Sequence, residues 1–434
     1  MNLLFVNDTT GEHAPSYYAA TAFSDKRRPK LRGAEKADVA IIGGGFTGLS
    51  AALHLAERGY SVRLVEAHRV GFGASGRNGG QVGSGQRLEQ DDLEAAYGRE
   101  MAHRLWEFGQ EAKGLVKCLI AAHDIPVTFH EGIVHACLHK HEVRHSHHMA
   151  EKLSRDYGYD LVEPLTKSEL QEILPSDRYK GGDIDRGAGH LHPLNFAQGI
   201  ALAAEKAGAV LYEESHVQSV ETGPEVTITT DDGVLRAEYL VLACNGYLGD
   251  LKPKVAARVM PINNFIVATE PLGARASEVL REHVAVADTK FVVNYWRLSE
   301  DNRLLFGGGE SYGYRFPDIV KTVRKPMLEV YPGLKDIRID YAWGGTLAIT
   351  MNRMPAFIRP AGDNILSASG FSGHGVAMGV LAGRIMAEAI SGQAEKFDIF
   401  ASLNVPKFPG GAMLRSPLLA AAMTWYAMRD RLGL

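Results

Sequence analysis

The chain of 434 residues has only three cysteines, Cys118, Cys137 and Cys244, far apart and in no pattern. That is too few for a disulfide framework, and no paired spacing suggests a zinc site. A reducing compartment, the cytoplasm by default, is the expectation. No run of 18 apolar residues occurs, so no transmembrane helix is predicted. No basic segment leading into an apolar core opens the chain, so no signal peptide is read. Excess charge is missing too. A formal net charge of −4 leaves no electrostatic footprint for nucleic acid. No internal repeat or low-complexity segment is found. What remains is a globular composition, 45% apolar, in a chain able to bury a large core.

Glycine, by contrast, is plentiful and clustered. Residues 38–66 read as one βαβ unit built to hold a dinucleotide. The apolar run 39–42 predicts a buried parallel strand. It leads into Gly43, Gly45 and Gly48, spaced as G-x-G-x-x-G, with Phe46 and Thr47 between them. A helix over 49–57 and a strand over 62–65 follow, and the strand ends on Glu66 and Ala67. Gly43 is expected to permit the tight turn, Gly45 to let backbone approach a pyrophosphate, and Gly48 to let helix and strand pack closely. The helix start offers free N–H groups to phosphate. Glu66 is placed to accept hydrogen bonds from an adenosine ribose, and its charge argues against NADP. NAD and FAD both remain at this point.

Two further segments favour FAD. Residues 71–81 are too rich in glycine for a helix or strand. Within them, Gly73, Ala74, Ser75, Arg77, Asn78, Gly79, Gly80 and Gln81 predict an extended loop able to pass a pyrophosphate and a flat ring. Far away, a short strand over 365–369 leads into Gly370, Gly373, His374 and Gly375, then a helix from Val376 to 390. A second helix start of this kind stabilises negative charge on a reduced flavin. NAD enzymes need no such second site.

With residues 189–193, 242–247 and 343–346, these segments resemble the D-amino-acid-oxidase-type flavoproteins, the glycine oxidase and sarcosine oxidase group. The likeness covers about residues 30–434 and runs strongest toward its gamma-glutamylputrescine oxidases. It implies an α/β fold, in which a Rossmann-like FAD-binding domain is interleaved with an α+β substrate domain containing a mostly antiparallel sheet. It also implies that Val217 offers backbone to the adenine, and that Cys244, Asn245 and Gly246 return the chain to the cofactor. The expected layout is an arm at 1–34 and FAD-binding pieces at 35–87, 189–250 and 346–400. Substrate-domain pieces follow at 88–188 and 251–345, with a tail containing a helix at 401–434. Local patterns predict an amphipathic helix within 88–123, a strand pair at 127–138, helices at 141–157 and 195–206, and a hairpin turn at 232–233.

The expected chemistry is oxidation of an amine C–N bond to an imine, which water then hydrolyses. Oxygen or a quinone would be the electron acceptor. FAD is expected to be bound non-covalently, because residues 340–360 hold no cysteine where relatives attach it. His374, Tyr295 and Trp343 are the candidate catalytic residues, His374 for tuning charge at the flavin and the aromatics as a wall beside the amine. Relatives of the sarcosine oxidase type grip a substrate carboxylate with a lysine where this chain has Ala377. A longer amine such as a gamma-glutamylated polyamine therefore leads, and the alternative is a secondary or cyclic amino acid held by another cation, Arg77 or Arg297. Both glycine sites and a full second domain favour an enzyme over an electron-transfer flavoprotein or a subunit needing a partner. The histidines at 130, 135, 139, 141, 145, 147 and 148 read as a solvated surface, not a metal site. The glycines at 307–309 precede no helix, so no second nucleotide site is expected. The tail at 414–432 reads as packing on the body.

Overall fold

The computed structural model describes residues 2–409, and the tail at 414–432 lies outside them. Two sheets organise the described residues. The first has a parallel core in the order Ile365–Ser369, Gly233–Leu242, Gly33–Ile42, Val62–Val65, Val210–Tyr212. The stretches 39–42, 240–242 and 365–369 are buried throughout, as the covered centre of a parallel sheet requires. Ala356–Ile358 and Val226–Thr230 join it in antiparallel pairing, the latter through a hairpin whose turn is at 231–232, one residue before the expected 232–233. The second sheet runs Ile339–Ile349, Met260–Thr269, Leu304–Ser311, Tyr295–Leu298, Ala285–Asp288, His130–Cys137, Gly181–His190, Gln81–Val82. All its neighbours pair antiparallel except Ala285–Asp288 with His130–Cys137. This is the mixed α/β architecture read from the sequence.

The strand-to-helix turn of the first unit depends on two close approaches. The helix spans Phe46–Glu57, three residues earlier than the apolar pattern suggested, because Gly45 caps it and the Ser75 hydroxyl accepts the Phe46 N–H at 2.9 Å. A β-carbon on Gly48 would collide with the Gly43 carbonyl oxygen. Across the helix, a β-carbon on Gly383 would meet the Thr47 carbonyl oxygen and the Ala51 nitrogen. Helices Phe46–Glu57 and Gly375–Ile390 therefore pack backbone to backbone, and Ser50 Oγ donates to the Val380 carbonyl at 2.7 Å.

Several local expectations need correction. Residues 127–138 form one strand, His130–Cys137, not a pair. Gly132, at φ +104°, makes a bulge between Glu131 and Ile133 instead of a turn. The helix within 88–123 is two, Gln90–Tyr97 and Arg99–Ala122, broken at Gly98 with φ +81°. Leu105, Ala112, Val116 and Leu119 of the second pack into the core beneath the first sheet, although the sequence grouped this stretch with the substrate domain. Boundaries drawn at 188/189 and 345/346 fall inside Gly181–His190 and Ile339–Ile349, since glycines within those strands do not end them. The arm is not loose. Tyr17 and Tyr18 are buried beside Leu194 and Trp343, and Arg28 is buried between Glu205 and Glu213. Among the described residues, no single helix is long and apolar enough to cross a membrane.

Gly48→Ala is expected to cost about 1–3 kcal/mol through overpacking against backbone that cannot move aside. A urea midpoint unchanged from the parent would show that the turn is looser than this geometry requires.

Candidate active site

One cavity of about 1240 Å³ runs between the two sheets. Small-molecule sites are commonly about 300–1,000 Å³, so this one has room for a long cofactor and a substrate together. Both glycine-preceded helix starts open onto it. At the first, the amides of Thr47 and Gly48 precede the first helical bond, Leu49 N–H to Gly45 O at 2.9 Å, and have no partner within the helix. At the second, the amides of Gly375, Val376 and Ala377 precede the bond from Met378 N–H to His374 O. Two sets of free donors with positive dipole ends suit a pyrophosphate and an anionic ring edge.

Glu66 lies along the wall between the first helix start and Val217. Its Oε2 accepts the Gly44 N–H at 2.7 Å and its Oε1 accepts the His68 N–H at 3.0 Å. Burial pushes its pKa up, while those two amides favour the carboxylate. A carboxylate has about four acceptor sites, so both ribose hydroxyls can still be served. Asn2 and Leu4 of the arm, with His216 and Val217, also line the cavity. The sequence missed the arm here; the Leu4 carbonyl is tied to His68 Nε2 at 2.7 Å.

Most predicted cofactor residues line this cavity: Gly43, Gly45, Phe46, Thr47, Glu66, Ala67, Gly73, Ala74, Ser75, Asn78, Gly79, Gln81, Val217, Cys244, Asn245, Gly373, His374, Gly375 and Val376. Asn245 joins the two halves, its Oδ1 accepting the Gly370 N–H at 2.9 Å. Burial, with Glu66 beside it, pushes the Cys244 thiol up to about 12, so it stays protonated.

Others stand behind the wall. Gly48 packs on the strand, as expected of it. Gly80 is held by Leu191 and Asn78, Gly246 packs under Thr346 and Leu347, and Gly370 backs onto Thr350. Arg77 is buried, pairs with Asp8 at 2.9 Å and donates to the Phe72 and Gly344 carbonyls. Arg297 is likewise spent on the Gly79 and Leu191 carbonyls and the Tyr18 hydroxyl. Neither lines the cavity. Trp343 is 1% exposed, packs against Tyr18 and donates its indole N–H to the Arg77 carbonyl, so it lies behind the wall and not on it. Ala377 is packed in the core.

Tyr295 does line the cavity, its hydroxyl donating to Asn264 Oδ1 at 2.5 Å. His374 is pulled down to about 4 by burial and by the charges of Arg87 and His135. At neutral pH it is an uncharged imidazole, able to act as a hydrogen-bond partner but not as a cation. The sequence missed the opposite wall. Period-two alternation on His130–Cys137 and Gly181–His190 brings His135, Asp183 and Asp185 to the cavity. His135 Nδ1 meets Asp183 Oδ1 at 2.8 Å; burial opposes its charge, but Asp183 outweighs that and lifts it to about 9. His141 and His145 also line the cavity, so part of the histidine cluster is not plain surface. No metal-holding group occurs among the described residues.

Residues 38–389 match the profile of the DAO family, FAD dependent oxidoreductases. This chain belongs to that family. It is 42% identical over 419 residues to the probable oxidoreductase OrdL of Rhizobium meliloti, covering 96% of this chain and 97% of that one. It is 39% identical over 425 residues to the gamma-glutamylputrescine oxidoreductase of Escherichia coli, covering 97% and 99%. Glycine oxidase from Geobacillus kaustophilus shares the fold, with a TM-score of 0.72 at 22% identity over 86% of this chain and 99% of that one. A DAO-family chain with this cradle is an FAD-dependent amine oxidoreductase.

Glu66→Gln is expected to weaken FAD binding by about 1.5–3 kcal/mol, because the amide brings a donor against two N–H donors and loses a charge-assisted acceptor. Titrating apoprotein with FAD measures it, and equal affinity in variant and parent removes Glu66 from the site.

Proposed function

We propose that the protein oxidises a long primary amine, a gamma-glutamylated polyamine such as gamma-glutamylputrescine, with FAD held non-covalently. The observation that carries this reading is the acidic wall. Asp183, Asp185 and Glu310 line the cavity on the second sheet, where a carboxylate next to the reacting nitrogen would meet like charge and a terminal ammonium would meet attraction. The gamma-glutamylputrescine oxidoreductase likeness over nearly the full length supports it. So does Ala377, an apolar core residue where a carboxylate-gripping lysine stands in relatives.

FAD bound along the cradle would be held by the Thr47 amide, Glu66, Gly73, Ala74, Ser75, Asn78, Gly79, Gln81 and the helix start at Gly375, and would supply acceptance of a hydride equivalent from the amine carbon. The chain's own residues do the rest. The acidic wall orients the amine, and Tyr295 and Asn264 shape the pocket. The sequence's alternative, a cyclic or secondary amino acid, requires a cation on the cavity wall. Arg77 and Arg297 do not serve, but Arg87 and Arg353 line the cavity and would take that role.

Acid precipitation of the purified yellow protein is expected to leave all FAD in the supernatant, and flavin remaining in the pellet would refute non-covalent attachment. Under anaerobic stopped flow, gamma-glutamylputrescine is expected to reduce the flavin faster than pipecolate or sarcosine, since their carboxylate sits beside the reacting nitrogen, against the acidic wall, while the gamma-glutamyl carboxylate lies far from it. If either amino acid is fastest, the polyamine reading falls, and Arg353→Ala and Arg87→Ala identify the carboxylate's partner by a raised apparent Kd.

A further inference from the structure

We propose that Lys113, reached from the cavity through the Ser84 hydroxyl, takes the proton that a substrate ammonium must lose before it is oxidised. This rests on the amine reading above. Lys113 sits on helix Arg99–Ala122, 7% exposed, behind the cavity wall. Its Nζ donates to Ser84 Oγ at 2.8 Å and to the Tyr159 hydroxyl at 2.8 Å. Those two oxygens are 3.0 Å apart. The Tyr159 hydroxyl donates in turn to Asp185 Oδ1 at 2.6 Å, an oxygen that also accepts the Gly187 and Ala188 amides. Ser84 and Asp185 line the cavity; Lys113 and Tyr159 do not. Ser84 is also beside the flavin-facing loop, since a β-carbon on its neighbour Gly83 would lie 3.1 Å from His374 Nε2.

A structural ion pair would place the ammonium directly on a carboxylate. Here a tyrosine stands between Lys113 and Asp185, so the lysine is stabilised at one remove and can exist in either state. Burial lowers it to about 8, against the pull of Asp185; Lys117 lowers it further and Glu131 opposes. An alkylammonium has a pKa of about 10 and at neutral pH keeps its proton. Oxidation needs the nitrogen lone pair, so that proton has to leave. The N–H bond of the ammonium breaks as a new O–H bond forms at Ser84. The original Ser84 O–H breaks as its proton joins Lys113 Nζ. The electron pair stays on the amine, and the positive charge moves from substrate to Lys113, where Asp185 acts on it through Tyr159.

The test is the pH profile of anaerobic flavin reduction by the amine in wild type, Lys113→Met and Ser84→Ala. In wild type, where Lys113 draws the proton off as the C–H bond is cleaved, the rate is expected to rise through about pH 8, and in Lys113→Met only through the amine's own pKa of about 10, with the two near parity at high pH. A structural lesion would lower the rate without moving the midpoint. If Lys113→Met fails to accumulate, the same shift is read in Ser84→Ala, which leaves the helix and the lysine intact. A midpoint that moves in neither variant overturns the Lys113 proposal alone. A wild-type flavin that no amine reduces overturns the amine reading and this proposal with it.

Discussion

The site depends on two helices touching backbone to backbone. Helix Phe46–Glu57 and helix Gly375–Ile390 come from opposite ends of the chain, yet Gly383 lets the second lie directly on the Thr47 carbonyl of the first. With any side chain there, the helices would stand farther apart. Their N-termini would no longer open on one cavity, and two half-sites for one long cofactor would become two unrelated grooves. The parallel strands in front of them, Gly33–Ile42 and Ile365–Ser369, flank Gly233–Leu242 in the same direction, so both turns emerge at the same sheet edge. Ligands of open α/β sheets collect at that carboxyl edge for the same reason.

The second sheet gives the cavity its chemistry. The cradle is built almost wholly from backbone amides and small residues, and in outline it would hold FAD in many proteins. Selectivity has to come from the facing wall. That wall alternates: Ile133, His135 and Cys137 on one strand and Asp183 and Asp185 on the next point to the cavity, while Val134, Ala136 and Ile184 fill the core behind. The carboxylates are therefore fixed on rigid strands and not on loops. Their charge is shared with His135, Ser146 and Tyr159, which keeps buried acids paired.

The arm shows how a segment with no regular pattern can still be structural. Its Asn2 and Leu4 line the cavity, its Tyr18 packs on Trp343, and its Asp8 neutralises the buried Arg77. Arg77 and Arg297 consequently act as struts that hold the glycine loop at 72–80 by its carbonyls. Cations that looked available for a substrate are committed to backbone.

The sequence by itself determined the cradle. Gly43, Gly45, Gly48 and Glu66 sit within one short βαβ unit, and His374 opens a helix directly after its strand. Local spacing decides such a motif, because each residue acts on backbone a few positions away. Strands at 62–65 and 365–369 were legible for the same reason, being short apolar runs bounded by glycine. Only the tertiary structure decided which residues face the cofactor from a distance. Trp343 and Tyr295 looked alike as aromatics, yet one is behind the wall and the other on it. Lys113, Ser84, Tyr159 and Asp185 come from four separate segments and carry no shared spacing. Their meeting depends on where helix Arg99–Ala122 lies relative to Ser84 and to strand Gly181–His190, and long-range packing of that kind leaves no periodic trace in the chain.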